Sequence, residues 1–65
     1  MKSNLKKLRE KAELSQPQLA QLSGVSQQTI SKIEMEEDGY SPKHDTLVSI
    51  GNALGVHLDE ITNVK

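Results

Sequence analysis

The side chains that could do chemistry in this chain are concentrated in one short polar run. The run reads QQTISK, from Gln27 to Lys32, with a single apolar residue at Ile30. Gln can form two hydrogen bonds with the N6/N7 edge of adenine, and Lys suits O6/N7 of guanine. By itself a Gln-Gln pair more often marks the solvated first turn of a helix, so its meaning depends on the elements around it.

Residue types that catalyse reactions or bind metals form no comparable cluster. His44 and His57 fall at predicted loops or helix starts, and the chain has no Cys and no glycine-rich phosphate loop. The lack of Cys excludes a disulfide scaffold, an iron–sulfur site and a cysteine-based zinc finger. We therefore expect no enzyme, no metal site, no cofactor and no small-molecule ligand.

Length and composition favour one small aliphatic domain covering residues 1–65. Sixteen of the 65 residues are Leu, Ile or Val, while aromatic residues make up only 2%. This aliphatic content lies above the range in which disorder is expected. No apolar run approaches the roughly 18 residues of a membrane span, and no signal peptide is evident. We expect a cytoplasmic protein without a membrane partner.

The spacing of apolar residues predicts five short helices and no strand, which is an all-α fold. Four of the helices are defined by apolar positions together with capping and terminating residues. The inward positions are Leu5, Leu8, Ala12 and Leu14 in or after helix 1, Leu19, Ala20 and Leu22 in helix 2, Ile30 and Ile33 in helix 3, and Leu47, Ile50, Ala53 and Leu54 in helix 4. The fifth helix, with Leu58 and Ile61, belongs to a short C-terminal segment, 57–65.

Helices 2 and 3 should form a helix-turn-helix over residues 16–34. Ser15 and Gln18 have the spacing of a capping box, and Gly24 supplies the residue of positive φ that ends helix 2. Ser26 caps helix 3, while Ser3 or Asn4 caps helix 1. Two helices joined this tightly at a large angle leave the second free to enter a DNA major groove.

The chain resembles the phage repressor–Cro (XRE-type, lambda repressor-like) helix-turn-helix family. The matching stretches are LREKAELSQPQLAQLSGVSQQTISKIE, then SPKHDTL, then ALGVHLDEI. The resemblance implies a compact five-helix fold and a sequence-specific regulator of double-stranded DNA, typically a repressor acting as a homodimer on a pseudo-palindromic operator. It also implies a structural salt bridge between Arg9 and Glu34.

The resemblance assigns two classes of DNA contact. The implied base contacts are Gln27, Gln28 and Lys32. The candidate backbone contacts are Gln16, Ser26, Thr29, Ser31, Tyr40, Ser41 and Lys43. Ser26 is equally explained as a cap alone, and Tyr40, the only aromatic residue, could instead pack on the core.

The charges divide unevenly along the chain, whose net charge is −1. Residues 1–34 carry six basic and three acidic side chains, a net charge of +3, whereas residues 35–65 carry two basic and six acidic ones, a net charge of −4. The chain departs from the family pattern in its acidic loop, Glu36-Glu37-Asp38. That loop must point away from DNA, contact a partner, or weaken non-specific affinity.

A second function remains open, that of a small antitoxin-like or regulatory module whose main partner is another protein. The acidic loop, residues 36–38, and an apolar C-terminal set could form its binding face. The same apolar set, which could also simply cap the core, supplies the dimer-interface candidates Val56, Leu58, Ile61 and Val64. Lys43 and His57 replace small capping residues, which predicts weak caps on helices 4 and 5.

Overall fold

The computed structural model describes residues 3–62, which form five helices and no strand. These are α1 (Leu5–Lys11), α2 (Gln16–Ser23), α3 (Gln27–Glu34), α4 (His44–Leu54) and α5 (Leu58–Thr62). The predicted all-α fold of five helices is confirmed. No helix within this described part is long and apolar enough to cross a membrane.

One aliphatic core holds all five helices together. Each helix contributes at least one fully or nearly fully buried residue, and together these are Leu5, Leu19, Ile30, Ile33, Leu47, Ile50 and Ile61. Helix α2 packs against both α3 and α4, α5 packs against α4, and α1 bridges α3 and α5. The arrangement measures 25 × 23 × 19 Å.

The helix ends follow the predicted local chemistry in α2, α3 and α4. Ser15 accepts a hydrogen bond from the Gln18 amide, and the Gln18 side chain accepts one from the Ser15 amide in return. Gly24 adopts a φ of 74° at the end of α2, a conformation that costs glycine little. Ser26 accepts a hydrogen bond from the Thr29 amide, and Gly55 ends α4.

Two predicted core positions are wrong. Ala12 is exposed because α1 ends at Lys11 and Ala12 is its C-cap, beyond the last inward turn. Leu22 is 62% exposed because the inward stripe of α2 passes through Gln16, Leu19 and Ser23 instead.

The predicted weak caps are confirmed for α4 and wrong for α5. Lys43 makes no side-chain hydrogen bond to the first turn of α4. The His57 ring accepts a hydrogen bond from the Asp59 amide through Nδ1 at 3.2 Å, and the Glu60 carboxylate accepts one from the His57 amide at 3.0 Å. These two hydrogen bonds satisfy two amides that a helix start would otherwise leave unpaired.

Candidate nucleic-acid interface

Helix α3 is held by its apolar side and exposes its polar side. Ile30 and Ile33 are 0% and 1% exposed, so they fix both the depth and the rotation of the helix. Gln27, Gln28 and Lys32 are all exposed. Because side chains three and four residues apart share a helix face, burial of the two isoleucines turns the polar side chains outward together.

The turn between α2 and α3 is fixed by hydrogen bonds as well as by Gly24. The Ser23 hydroxyl donates to the Leu19 carbonyl at 2.7 Å and accepts from the Val25 amide at 3.2 Å. One serine thereby links the last turn of α2 to the residue after the glycine. The angle between the two helices is consequently set by several short contacts within the motif, 16–34.

An open groove of about 620 Å³ follows the exposed face of α3. It is lined by Gln16, Gln27, Gln28, Ser31, Lys32, Met35 and Glu37. The groove therefore brings the three predicted base contacts together with two of the predicted backbone contacts, Gln16 and Ser31. Its lining offers hydrogen-bond donors and acceptors, one cation, one anion and one thioether.

A salt bridge fixes the end of α3 to α1. The Arg9 guanidinium donates to the two Glu34 carboxylate oxygens at 2.7 and 3.0 Å, and a third donation from Arg9 reaches the Leu14 carbonyl at 2.7 Å. The Arg9 and Glu34 side chains are only 11% and 4% exposed. The predicted pair is thus present as a two-point contact, which is the strongest form of a guanidinium–carboxylate interaction.

Burial and hydrogen bonding act in opposite directions on the Glu34 carboxyl. Burial raises its pKa, but hydrogen bonds from Arg9 and Gln16, together with the charges of Arg9 and Lys6, leave the pKa below its ordinary value. The hydrogen bond to Glu34 likewise raises the pKa of Arg9. Both groups are therefore held in their charged forms.

Gln16 connects the salt bridge to the groove. Its side-chain amide donates to Glu34 Oε1 at 3.1 Å, and the residue is half-buried at the first position of α2. The sequence predicts a backbone contact here, and the structure adds an internal bond. Gln16 consequently fixes the start of α2 to the end of α3 at the edge of the groove.

The remaining predicted backbone contacts lie outside the groove lining. Ser26 donates to Thr29 Oγ1 at 2.9 Å in addition to capping α3, while Ser41 and Lys43 are exposed beyond the acidic loop. Tyr40 is half-buried against the core, and its ring lies 5.6 Å from Lys32 Nζ. Core packing, one of the two predicted roles of Tyr40, is therefore present.

The acidic loop is divided between two sides of the molecule. Glu36 has a φ of 53°, and its carboxylate accepts a hydrogen bond from the Ser3 amide at 3.1 Å. The Ser3 hydroxyl donates at 3.1 Å to the Ile33 carbonyl at the end of α3, which also accepts from the Glu36 amide at 3.2 Å. Glu37, the next residue, lines the groove. The loop neither points wholly away from the groove nor wholly into it.

Of the predicted dimer-interface set, Ile61 is wrong, whereas the roles of Val56 and Leu58 stay a prediction. Ile61 is 0% exposed and belongs to the core of its own chain, because α5 packs its apolar face on α4 and α1. Val56 and Leu58 are half-buried against the same core. Val64 lies outside the described residues. Within residues 3–62, the large hydrophobic side chains that stay exposed are Leu22 and Met35.

Two groove residues, Met35 and Glu37, were missed by reasoning from the sequence. Met35 follows Gln28 by seven residues and is 73% exposed, so helical periodicity alone could have placed it on the same face. The Ser31 hydroxyl also lies 3.5 Å from its sulfur. Glu37 had no such signal, because it follows the left-handed residue that redirects the chain after α3.

A family model described as helix-turn-helix matches residues 5–61, which covers all of α1 to α4 and most of α5. Comparison with curated proteins finds no match.

Proposed function

Since this chain belongs to the XRE-type, lambda repressor/Cro-like helix-turn-helix family, we propose that it is a transcriptional repressor that binds a pseudo-palindromic operator as a homodimer. The family is one of DNA-binding regulators and is not typically enzymatic, so the chain is a DNA-binding regulator. The proposal adds the repressor role, the operator symmetry and the dimer. We also propose that it acts in the cytoplasm.

The observation that carries the proposal is the groove along α3. Its floor holds Gln27 and Gln28 in the first turn of α3 and Lys32 about one turn further along. In a helix-turn-helix the N-terminal residues of the second helix reach base edges first. We assign the two glutamines to adenine edges and Lys32 to guanine, on the grounds of their hydrogen-bonding patterns.

Backbone contacts would come from both sides of this groove. Gln16 stands at the start of α2, where the positive end of the helix dipole favours a phosphate. We assign the same role to Ser26, Thr29, Ser31, Ser41 and Lys43. These contacts would set the position of α3 along the duplex without reading its sequence.

A selection of bound sequences from random duplex DNA tests the proposal. We expect enrichment of two inverted half-sites whose centres are separated by about one helical turn, roughly 34–36 Å, because two-fold dimers mirror operator symmetry. No enriched sequence at about 150 mM salt would contradict readout by α3. Enrichment of one isolated half-site would contradict the proposed dimer but not the readout of bases by α3.

Two substitutions separate base contacts from general attraction. Gln28→Ala should cost roughly 1–3 kcal/mol on the selected operator and relax the preference at one base position. Lys6→Ala, at an exposed position of α1, should weaken binding to all duplexes alike and flatten the salt dependence. Binding isotherms at several salt concentrations on selected and scrambled duplexes give both quantities. Equal losses on every duplex from both variants would contradict the assignment of Gln28.

The protein-interaction alternative has less support among residues 3–62. Its apolar face depended on Ile61, which is fully buried, and on Val56 and Leu58, which pack on the core. Its acidic face is divided, because the Glu36 carboxylate binds the Ser3 amide. DNA binding is therefore the function that we propose.

A further inference from the structure

Lys32 and Tyr40 form a contact that the helix-turn-helix motif does not require. Lys32 Nζ lies 5.6 Å from the centre of the Tyr40 ring. A cation within about 6 Å of an aromatic face is attracted by the negative potential of that face. Tyr40 is the only aromatic residue of the chain, so no other ring could make this contact.

The ring is held in place, whereas the lysine side chain is not. Tyr40 is half-buried against the core, and its amide donates to the Glu37 carbonyl at 3.1 Å. The Glu37 amide in turn donates to the Lys32 carbonyl at 3.3 Å, which fastens this loop to the second turn of α3. Lys32 is exposed and forms no salt bridge within residues 3–62.

Support from a ring matters because the lysine side chain is long and flexible. Lysine carries its charge on four flexible carbons and loses much rotamer freedom when it contacts one fixed acceptor. A ring beneath the ammonium limits the positions that the ammonium samples on the groove side of α3. Tyr40, in the loop after α3, thereby supports the Lys32 side chain of the groove although Tyr40 itself does not line the groove.

We propose that Tyr40 is a positioning residue that presents the Lys32 ammonium to one base pair of the operator. The inference rests on the proposed base contact of Lys32. It gives Tyr40 a role in specificity, exerted through its ring, in place of a contact between its hydroxyl and a phosphate. The ring is the required group, so phenylalanine should replace tyrosine and leucine should not.

The test uses the full chain and the operator found by selection, varied through all four base pairs at each position. Lys32→Met first identifies the position whose preference Lys32 sets. Tyr40→Leu should then reduce the preference at that position alone, by roughly two- to fivefold, the range of an exposed cation–π contact. Tyr40→Phe should retain the preference within about twofold. In the Lys32→Met background, Tyr40→Leu should have no further effect at that position.

Different results overturn different statements. If Lys32→Met leaves every position unchanged, the base contact of Lys32 fails and this inference fails with it. If Lys32→Met acts at one position but Tyr40→Leu lowers binding equally on all duplexes, only the inference about Tyr40 is overturned. A loss with Tyr40→Phe as large as with Tyr40→Leu overturns it too, because the ring is retained. Circular dichroism melts restrict the comparison to folded variants, and a loss of preference at the Lys32 position in Tyr40→Phe overturns the inference even if Tyr40→Leu unfolds.

Discussion

Glu34 is the residue on which three helices converge. Its carboxylate accepts from Arg9 of α1 and Gln16 of α2 while its own backbone ends α3. A carboxylate this buried is tolerable only because both its oxygens have donors. The orientation of the groove thus depends on a polar contact among helices as well as on the aliphatic core.

Glu34→Gln should destabilise the protein by about 3 kcal/mol, because it leaves the Arg9 guanidinium charged, largely buried and without its anion. Reversible urea unfolding followed by circular dichroism measures this change in the free energy of unfolding. Glu10→Gln, at an exposed position of α1, is the matched control, with an expected change within about 0.5 kcal/mol. Equal changes in both variants would contradict the structural role of Glu34.

The lowered pKa of Glu34 also predicts a pH dependence. Because the folded-state pKa lies below the unfolded-state value of about 4.3, the stabilisation is complete above that value. It is lost as the pH falls through the folded-state pKa. Stability measured from about pH 6 to pH 3 should therefore fall, and Glu34→Gln should fall less steeply over the same range. Parallel profiles for the two proteins would contradict the linkage to Glu34.

At the scale of the helices, Gly51 determines how closely the turn before α5 approaches α4. Gly51 is buried in α4, and a β-carbon placed on it would lie 2.7 Å from the Val56 carbonyl oxygen and 3.5 Å from the Leu58 amide nitrogen. The Val56 amide also donates to the Gly51 carbonyl at 2.9 Å. The absence of a side chain is therefore what lets backbone meet backbone here.

Gly51→Ala should destabilise the protein by about 1–3 kcal/mol through overpacking, even though alanine is the better helix former. Asn52→Ala, at the adjacent exposed position of α4, should be neutral or slightly stabilising. Thermal unfolding of both variants measures the contrast. A Gly51→Ala protein as stable as the parent would show that the turn can shift without loss.

The two ends of α2 were predictable because their chemistry is local. Ser15 with Gln18, and Gly24, act within a few residues of one another. Burial was less predictable, as α2 shows. Its inward stripe includes the polar Gln16 and Ser23, whose side chains bond to Glu34 and to the Leu19 carbonyl, while the apolar Leu22 lies off the stripe. The bond from Gln16 to Glu34 is tertiary and the bond from Ser23 to Leu19 is local to α2, and the spacing of apolar residues encodes neither.

The candidate site was also predictable only in part. Helical spacing correctly brought Gln27, Gln28 and Lys32 together along one groove, whereas their contacts with DNA stay a prediction. Glu37 could not be placed, because its position depends on the positive φ of Glu36 and on a bond from Ser3, which is 33 residues away in sequence. The spacing of apolar residues also failed to show whether Ile61 is buried in the core or exposed at a dimer interface, since both positions look alike in sequence.

At the scale of the whole molecule, the structure shows which charges of the acidic half lie beside the groove. The acidic half, residues 35–65, has a net charge of −4, and it contributes one acidic side chain to the groove lining, that of Glu37. Glu36 is bound to the Ser3 amide. The groove is therefore predominantly polar and neutral, with a single carboxylate positioned to repel phosphates.

Glu37→Gln should tighten binding to every duplex by about two- to fivefold, since it removes one negative charge beside the phosphate backbone. The gain should shrink as salt increases. Asp38→Asn, an equal change of charge at an exposed neighbour outside the groove lining, should have a smaller effect. Fluorescence anisotropy on selected and scrambled duplexes measures both. A loss of affinity confined to one operator position would instead make Glu37 a base contact.

The attachment of the first described residues to α5 has a consequence for the order of folding. The Asn4 amide donates to the Ile61 carbonyl at 2.7 Å, and the Asn4 side chain donates to the Glu60 carbonyl. These bonds join residues more than fifty positions apart, whereas α2 and α3 meet across a short turn. Closing the longer loop costs more chain entropy, so the α2–α3 hairpin should form first and the bonds from Asn4 to Glu60 and Ile61 should form last. Contacts that form last mainly govern the rate of unfolding, so weakening these bonds should shorten the lifetime of the native state more than it slows folding.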